Sequence, residues 1–194
     1  MYNFRTDLAV ERTEIYKKIN NIKNDIDGVK QEKNVINKDI EITRVSILNE
    51  DGEKVLGKKK GNYITLDIKN LKIAQEEEIQ QAAENLSKEL KVLVGNSIKG
   101  EEEVLIIGLG NEKVTPDSLG PKVVSDIEVT RHLIKYVPQY VKPGTRPVSA
   151  LAPGVLGTTG METLEIIKGV VDNVKPKLLI VIDALSARNI RKDK

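Results

Sequence analysis

The chain has no cysteine, no tryptophan, one phenylalanine and a single histidine. Without cysteine there can be no disulfide, no thiolate metal site and no cysteine nucleophile. With His132 alone, any centre built from several histidines is excluded. Aromatic residues make up only 3% of the 194 residues, so the core has to be aliphatic, chiefly Ile, Val and Leu. Neither sign of charge dominates: 31 basic against 29 acidic residues leave a net charge of +2. That balance argues against a dedicated nucleic-acid binder, which carries a basic face. There is no long apolar run at the N-terminus, so no signal peptide is expected. No stretch reaches the roughly 18 apolar residues of a membrane-spanning helix. The expected compartment is cytoplasmic.

Two continuous apolar runs organise what remains. Val104-Leu105-Ile106-Ile107 leads into Gly108-Leu109-Gly110-Asn111 and then Thr115-Pro116-Asp117-Ser118-Leu119-Gly120-Pro121. Leu178-Leu179-Ile180-Val181-Ile182 runs directly into Asp183-Ala184-Leu185-Ser186-Ala187-Arg188. Runs of this length between turn residues suit parallel strands buried on both faces. In such sheets chemistry gathers beyond the carboxyl ends of the strands, which is where Asp117 and Asp183 fall.

The rest of the chain supplies an α/β frame. Pro121 suits a first helical position, which puts Gly120 at the cap, leaves Asp117 in the preceding loop, and starts a helix running to about Lys135. On that helix His132 reads as a surface residue near the C-terminal end. Val148-Ser149-Ala150-Leu151-Ala152 is a short strand, followed by the glycine-spaced loop Gly154-x-x-Gly157-x-x-Gly160. Thr159 and Glu162 have the spacing of a capping box. Ile79, Ala82, Ala83, Leu86, Leu90 and Leu93 form one stripe of a helix over 75–94, read as a packing helix. Residues 39–68 read as a small antiparallel meander with one wet face: Ile40, Ile42, then Val45 and Ile47 with a phase slip at Arg44, a turn at Asn49–Gly52, a short strand Glu53–Gly57, and Ile64, Leu66 and Ile68. Residues 1–38 read as a polar segment with a helix from about Thr6 to Ile26, capped by Thr6 or Asp7, and a loose stretch through Lys38. Together these give a single α/β domain: N-terminal segment 1–38, meander 39–70, βα core 71–194.

The chemistry left open by the composition is that of carboxylates. Two neighbouring carboxylates cannot both ionise cheaply, so one can activate water while the other, protonated, donates to a substrate. Each aspartate also has a structural alternative. Asp117 after Thr-Pro can make an Asx turn, and Asp183 can cap the segment that follows it. The glycine loops complete neither a dinucleotide fingerprint nor a P-loop.

Taken together, Arg5-Thr6-Asp7-Leu8-Ala9-Val10-Glu11, the Gly108–Pro121 segment, Pro153–Thr163 and Ile182–Arg188 resemble the germination protease of endospore-forming bacteria. The resemblance implies a three-layer α/β sandwich with a mainly parallel sheet, similar to the hydrogenase maturation endopeptidases. It implies an endopeptidase that initiates degradation of small acid-soluble spore proteins during germination, made as a zymogen, assembled as a tetramer, and resident in the forespore or spore core. It places the two essential aspartates at Asp117 and Asp183. The family's substrates are cut at a sequence of the type Thr-Glu-Phe-Ala-Ser-Glu. Thr6-Asp7-Leu8-Ala9-Val10-Glu11 has the same order of residue types, which makes Asp7, Leu8 and Glu11 candidates for a processing or self-recognition element. Gly157 and Thr159 are candidates for substrate binding. No cofactor and no metal are expected, because the metal-binding His of the related maturation endopeptidases has no placed counterpart. Few residues precede Arg5, and the chain stops at Lys194 where the family continues. The expectation is therefore an N-terminal fragment without a long propeptide, inactive alone. The rival readings are a non-catalytic module holding a small anionic ligand at helix N-termini and a fragment that serves assembly only.

Overall fold

A computed structural model describes residues 6–22, 25–95 and 97–185. Arg5 and Ser186-Ala187-Arg188, parts of the segments quoted above, lie outside the described residues. The α/β class holds: among the described residues there is one antiparallel and one parallel three-stranded sheet, each with helices. They belong to two compact units, one within residues 1–94 and one from Gly95 to Leu185.

The first unit is an antiparallel sheet of β1 (Val29–Val35), β2 (Ile40–Ile47) and β3 (Gly61–Ile68), in that spatial order. The apparent phase slip at Arg44 is not a bulge, since β2 pairs with β3 in unbroken register from Ile40 to Ile47. What changes is the face. Val45 and Ile47 are buried in a core with Ala9, Ile26, Val29 and Leu56. Ile40, Ile42 and Arg44 point to the opposite face by the two-residue period. There Arg44 meets α3 (Glu76–Val94) through Glu89: its Nε donates to Glu89 Oε2 at 2.8 Å and its Nη2 to Oε1. The strand is covered on both sides, so the expected wet face is not found on β2.

Three local readings are corrected. Glu53–Gly57 is not a strand but the end of a helix, α2 (Glu50–Leu56). Asn49 caps it by accepting the Gly52 N–H at 2.9 Å, and Gly57 closes it in the left-handed conformation. Val29–Val35, read as loose, is an edge strand exposed along most of its length. The first helix, α1, spans only Ala9–Ile19. Beyond it Asn21 has a positive φ, and Ile26 instead bridges Val29. Leu8, not Thr6 or Asp7, precedes the first helical residue, and no side chain caps it. Thr6 is buried, accepts the Leu8 N–H at 3.2 Å and donates to the Glu11 carboxylate.

The second unit centres on β4 (Val104–Gly108), parallel to β5 (Val148–Leu151) on one side and β6 (Leu178–Ile182) on the other. Leu105 and Ile107 are fully enclosed, as a central strand's unbroken apolar run requires. Among the described residues β6 lies at the edge of its sheet and its exposure alternates, with Leu179 and Val181 facing outward. It is therefore not buried on both faces. The crossover helix expected to reach Lys135 is two helices, α4 (Leu119–Asp126) and α5 (Arg131–Tyr136). The break falls on Ile127–Thr130, where Ile127, Val129 and Thr130 are β-branched. Thr130 is drawn to β5: its N–H donates to Val148 O at 3.0 Å and its Oγ1 accepts the Val148 N–H at 2.9 Å. His132 is exposed and lies in the first turn of α5 rather than ending a longer helix. Among the described residues no helix is long and apolar enough to cross a membrane.

Candidate functional site

The carboxyl ends of β4 and β6 are drawn together by backbone. After β4 the chain crosses the end of β6, where the Leu109 N–H donates to Ile182 O at 2.8 Å. Asp183 is the next residue. One residue past Leu109, Gly110 takes φ +117°, and the chain reverses into a 3-10 turn, Thr115–Asp117. Pro116 fixes the start of that turn, and the Asp117 N–H closes it on Val114 O at 2.8 Å. α4 then begins, with Ser118 buried before it and its Oγ donating to Thr115 O at 3.0 Å.

Glycine makes this convergence possible. A Cβ on Gly120 would lie 2.3 Å from Leu109 O, 2.5 Å from Leu109 N and 2.6 Å from Ile182 O. A Cβ on Gly108 would lie 2.2 Å from Gly120 O. The first turn of α4 thus rests directly on the backbone of the β4 loop and the end of β6. Gly120 is a contact residue of the site rather than the helix cap that Pro121 suggested; α4 starts at Leu119. Sequence spacing did not reveal this role. The available signal was a glycine beside a proline just after a strand-end aspartate.

Asp117 is half-buried and its carboxylate is oriented. The Asn111 N–H donates to Asp117 Oδ2 at 2.9 Å and to Asp117 O at 3.0 Å. Asp117 Oδ1 lies on the Gly110 side of the loop, 3.1 Å from where a Cβ of that glycine would sit. Asp183 is exposed, and its Oδ1 accepts the Ala184 N–H at 2.8 Å. Both aspartates therefore stand at one sheet edge, on segments joined by the Leu109–Ile182 hydrogen bond. Neither bond is the one its structural alternative called for: Asp117 accepts an N–H six residues before it, not two residues after, and Asp183 accepts that of its immediate neighbour.

The glycine-spaced loop after β5 forms α6 (Leu156–Thr159). Gly157 is exposed, with open space around its Cα. Thr159 does not cap the next helix. Its Oγ1 donates to Val155 O at 3.2 Å and accepts the Met161 N–H at 3.2 Å, closing its own turn. α7 (Thr163–Val174) is preceded instead by Glu162, whose N–H donates to Glu165 Oε2 at 3.2 Å. Asp7, Leu8 and Glu11 belong to the other unit. They lie at the lead-in and first turn of α1, which Arg12 holds in place. Its Nε donates to Thr6 O at 2.9 Å, and its Nη1 donates to Leu56 O at 3.0 Å and Gly57 O at 2.9 Å. Among the described residues no group of His, Asp and Glu side chains is gathered as a metal site.

Comparison with known proteins agrees with the motif segments. Residues 6–193 match the family described as germination protease. The germination protease of Clostridium acetobutylicum is 48% identical over 191 residues, covering 98% of this chain and 58% of that protein. That of Caldanaerobacter subterraneus subsp. tengcongensis is 48% identical over 191 residues, covering 97% of this chain and 56% of the relative. A Geobacillus germination protease is 41% identical over 197 residues, covering 99% and 53%. The chain thus spans somewhat more than half the length of the curated relatives it matches.

Proposed function

Because the chain belongs to the germination protease family, we propose that it carries the catalytic aspartates of an endopeptidase that starts the breakdown of small acid-soluble spore proteins in the germinating spore. The observation that supports this most is the joining of the two aspartate-bearing segments at one sheet edge by the Leu109–Ile182 hydrogen bond. In the proposed reaction one carboxylate takes a proton from water. The water oxygen attacks the peptide carbonyl carbon, and the protonated partner carboxyl donates to the carbonyl oxygen. Collapse breaks the C–N bond, a proton passes to the leaving amine, and the products are a carboxylate and an amine. Asp117 and Asp183 share the base and acid roles. Gly157, open on its outer side, lets substrate backbone approach, and Thr159 shapes that turn.

The segment Thr6–Glu11 is the proposed processing element. Proteases bind extended chain, and here Ala9 and Thr6 are buried and Ala9 begins α1. Cleavage within this segment therefore requires the first turn to open and Arg12 to release Thr6. The proposed location is the forespore or spore core, and the proposed state is a homo-oligomer. The test uses full-length enzyme and a purified spore protein. Asp117→Asn and Asp183→Asn, each confirmed folded by circular dichroism, are expected to lower cleavage by at least ~100-fold. Near-normal cleavage by either variant overturns the proposal.

A further inference from the structure

Asn111 closes a circuit of backbone hydrogen bonds around the loop that carries Asp117. The Val114 N–H donates to Asn111 O at 3.0 Å, the Asp117 N–H to Val114 O at 2.8 Å, and the Asn111 N–H returns to Asp117 O at 3.0 Å. Asp117 Oδ2 shares that last N–H at 2.9 Å, so the bond that closes the circuit also fixes the carboxylate. The side chain of Asn111 supports the same loop. Its Oδ1 accepts the Lys113 N–H at 3.0 Å, an Asx turn that bends the chain toward the Asn111–Val114 turn. Asn111 thus commits its amide, its carbonyl and its side chain to holding one loop.

The two carboxylates are not held alike. Asp183 Oδ1 accepts the N–H of the adjacent Ala184, whereas Asp117 is tied to a residue six positions away. With Asp117 Oδ2 engaged, Oδ1 is the oxygen to which no group donates among the described residues. Gly110 keeps it uncovered: a Cβ there would stand 3.1 Å from Oδ1, and the φ of +117° is one that side chains rarely adopt. We propose that Asn111 is a positioning residue, turning the Asp117 carboxylate so that Oδ1 is the oxygen that exchanges a proton with water or with the substrate carbonyl. This rests on the catalytic reading of Asp117 given above and names the atom and the residue that presents it. Asn111 acts through Asp117 and touches no reacting atom. Orientation of this kind is felt mainly in turnover, where a misplacement of about 1 Å costs on the order of 100-fold.

The test uses full-length enzyme and a purified spore protein, with kcat and KM measured separately. Asn111→Ala removes the acceptor of the Lys113 N–H and keeps the main-chain amide, so the carboxylate is loosened rather than released. The expected result is a kcat lowered about 10- to 100-fold with KM within about twofold of wild type. Asn111→Ser keeps a shorter acceptor at the same turn and should recover part of the loss. In the Asp117→Asn background, followed by single turnover with excess enzyme, Asn111→Ala should change the residual rate by less than about twofold, because its effect passes through Asp117. Circular dichroism checks each variant, and if Asn111→Ala is unfolded the same cycle on Asn111→Ser decides. A wild-type kcat, a loss carried by KM alone, or an undiminished loss in the Asp117→Asn background would overturn the role of Asn111. Near-normal cleavage by Asp117→Asn itself would instead overturn the catalytic reading on which that role rests.

Discussion

Substituting Gly120 tests the convergence that positions Asp117. In Gly120→Ala the added Cβ meets Leu109 O, Leu109 N and Ile182 O at 2.3–2.6 Å. All three are backbone atoms, so no side chain can rotate away. Forcing a methyl into such a contact costs about 1–3 kcal/mol. The separation it requires also weakens the Leu109–Ile182 hydrogen bond, worth about 1 kcal/mol. Alanine's better helix propensity returns about 1 kcal/mol. The net expectation is a loss of about 1–3 kcal/mol, or roughly a 5- to 150-fold shift in the folding equilibrium. Urea unfolding followed by circular dichroism reads it as a lower midpoint with unchanged slope. Gly169→Ala is the control: it lies within α7 with nothing inside 4 Å of the new methyl, and it should stabilise by about 0.5–1 kcal/mol. A Gly120→Ala midpoint at or above wild type would refute the close approach of α4 to the two strand ends.

Arg44→Ala leaves the Glu89 carboxylate, 6% exposed, without its partner. Because the Arg44 side chain is itself 32% exposed, the expected loss is about 2–3 kcal/mol rather than the full cost of a broken interior pair. Arg44→Leu/Glu89→Leu should recover most of it, read by thermal unfolding. Arg12→Ala removes the clamp from Thr6 O to the end of α2; limited proteolysis should then cut within Thr6–Glu11 several-fold faster, and an unchanged rate would contradict the opening requirement. The Lys60 N–H bond to Glu53, aided by the Lys59 charge, holds the Glu53 carboxyl below its ordinary value of 4.5. A depressed folded value means the bond stabilises above the ordinary glutamate range and is lost as pH falls through the lower folded value. The Lys60 amide resonance should report that acid step, and Glu53→Gln should abolish it.

Long apolar runs were the legible part of the fold. β4 and β6, their order in the chain, and the sheet edge holding Asp117 and Asp183 follow from continuous Val, Ile and Leu bounded by turn residues. Elements whose stability comes from pairing were harder to read. β1 is Val-Lys-Gln-Glu-Lys-Asn-Val, and only its full register with β2 makes it a strand. Asn49–Gly52 carries residues common to turns and to helix starts, and the Asn49 cap decided for the helix. The helix after Pro121 stopped early because Thr130 gains two hydrogen bonds to β5. α3 was found in place, but pattern alone identifies an apolar stripe and not what covers it. The site's least legible residue was Gly120, whose demand for glycine arises from the backbone of Leu109 and from Ile182 at the end of β6, some sixty positions further along the chain.

The central claim is that Asp117 and Asp183 act as one unit, and a double-mutant cycle on kcat/KM in the full-length enzyme tests it most directly. Groups sharing one reaction are strongly non-additive. The expected result is a loss of about 100- to 10,000-fold for Asp117→Asn and for Asp183→Asn alone, with the double variant little worse than either. A single variant cleaving spore protein at near wild-type rate, or a double variant whose loss equals the product of the two, would contradict it.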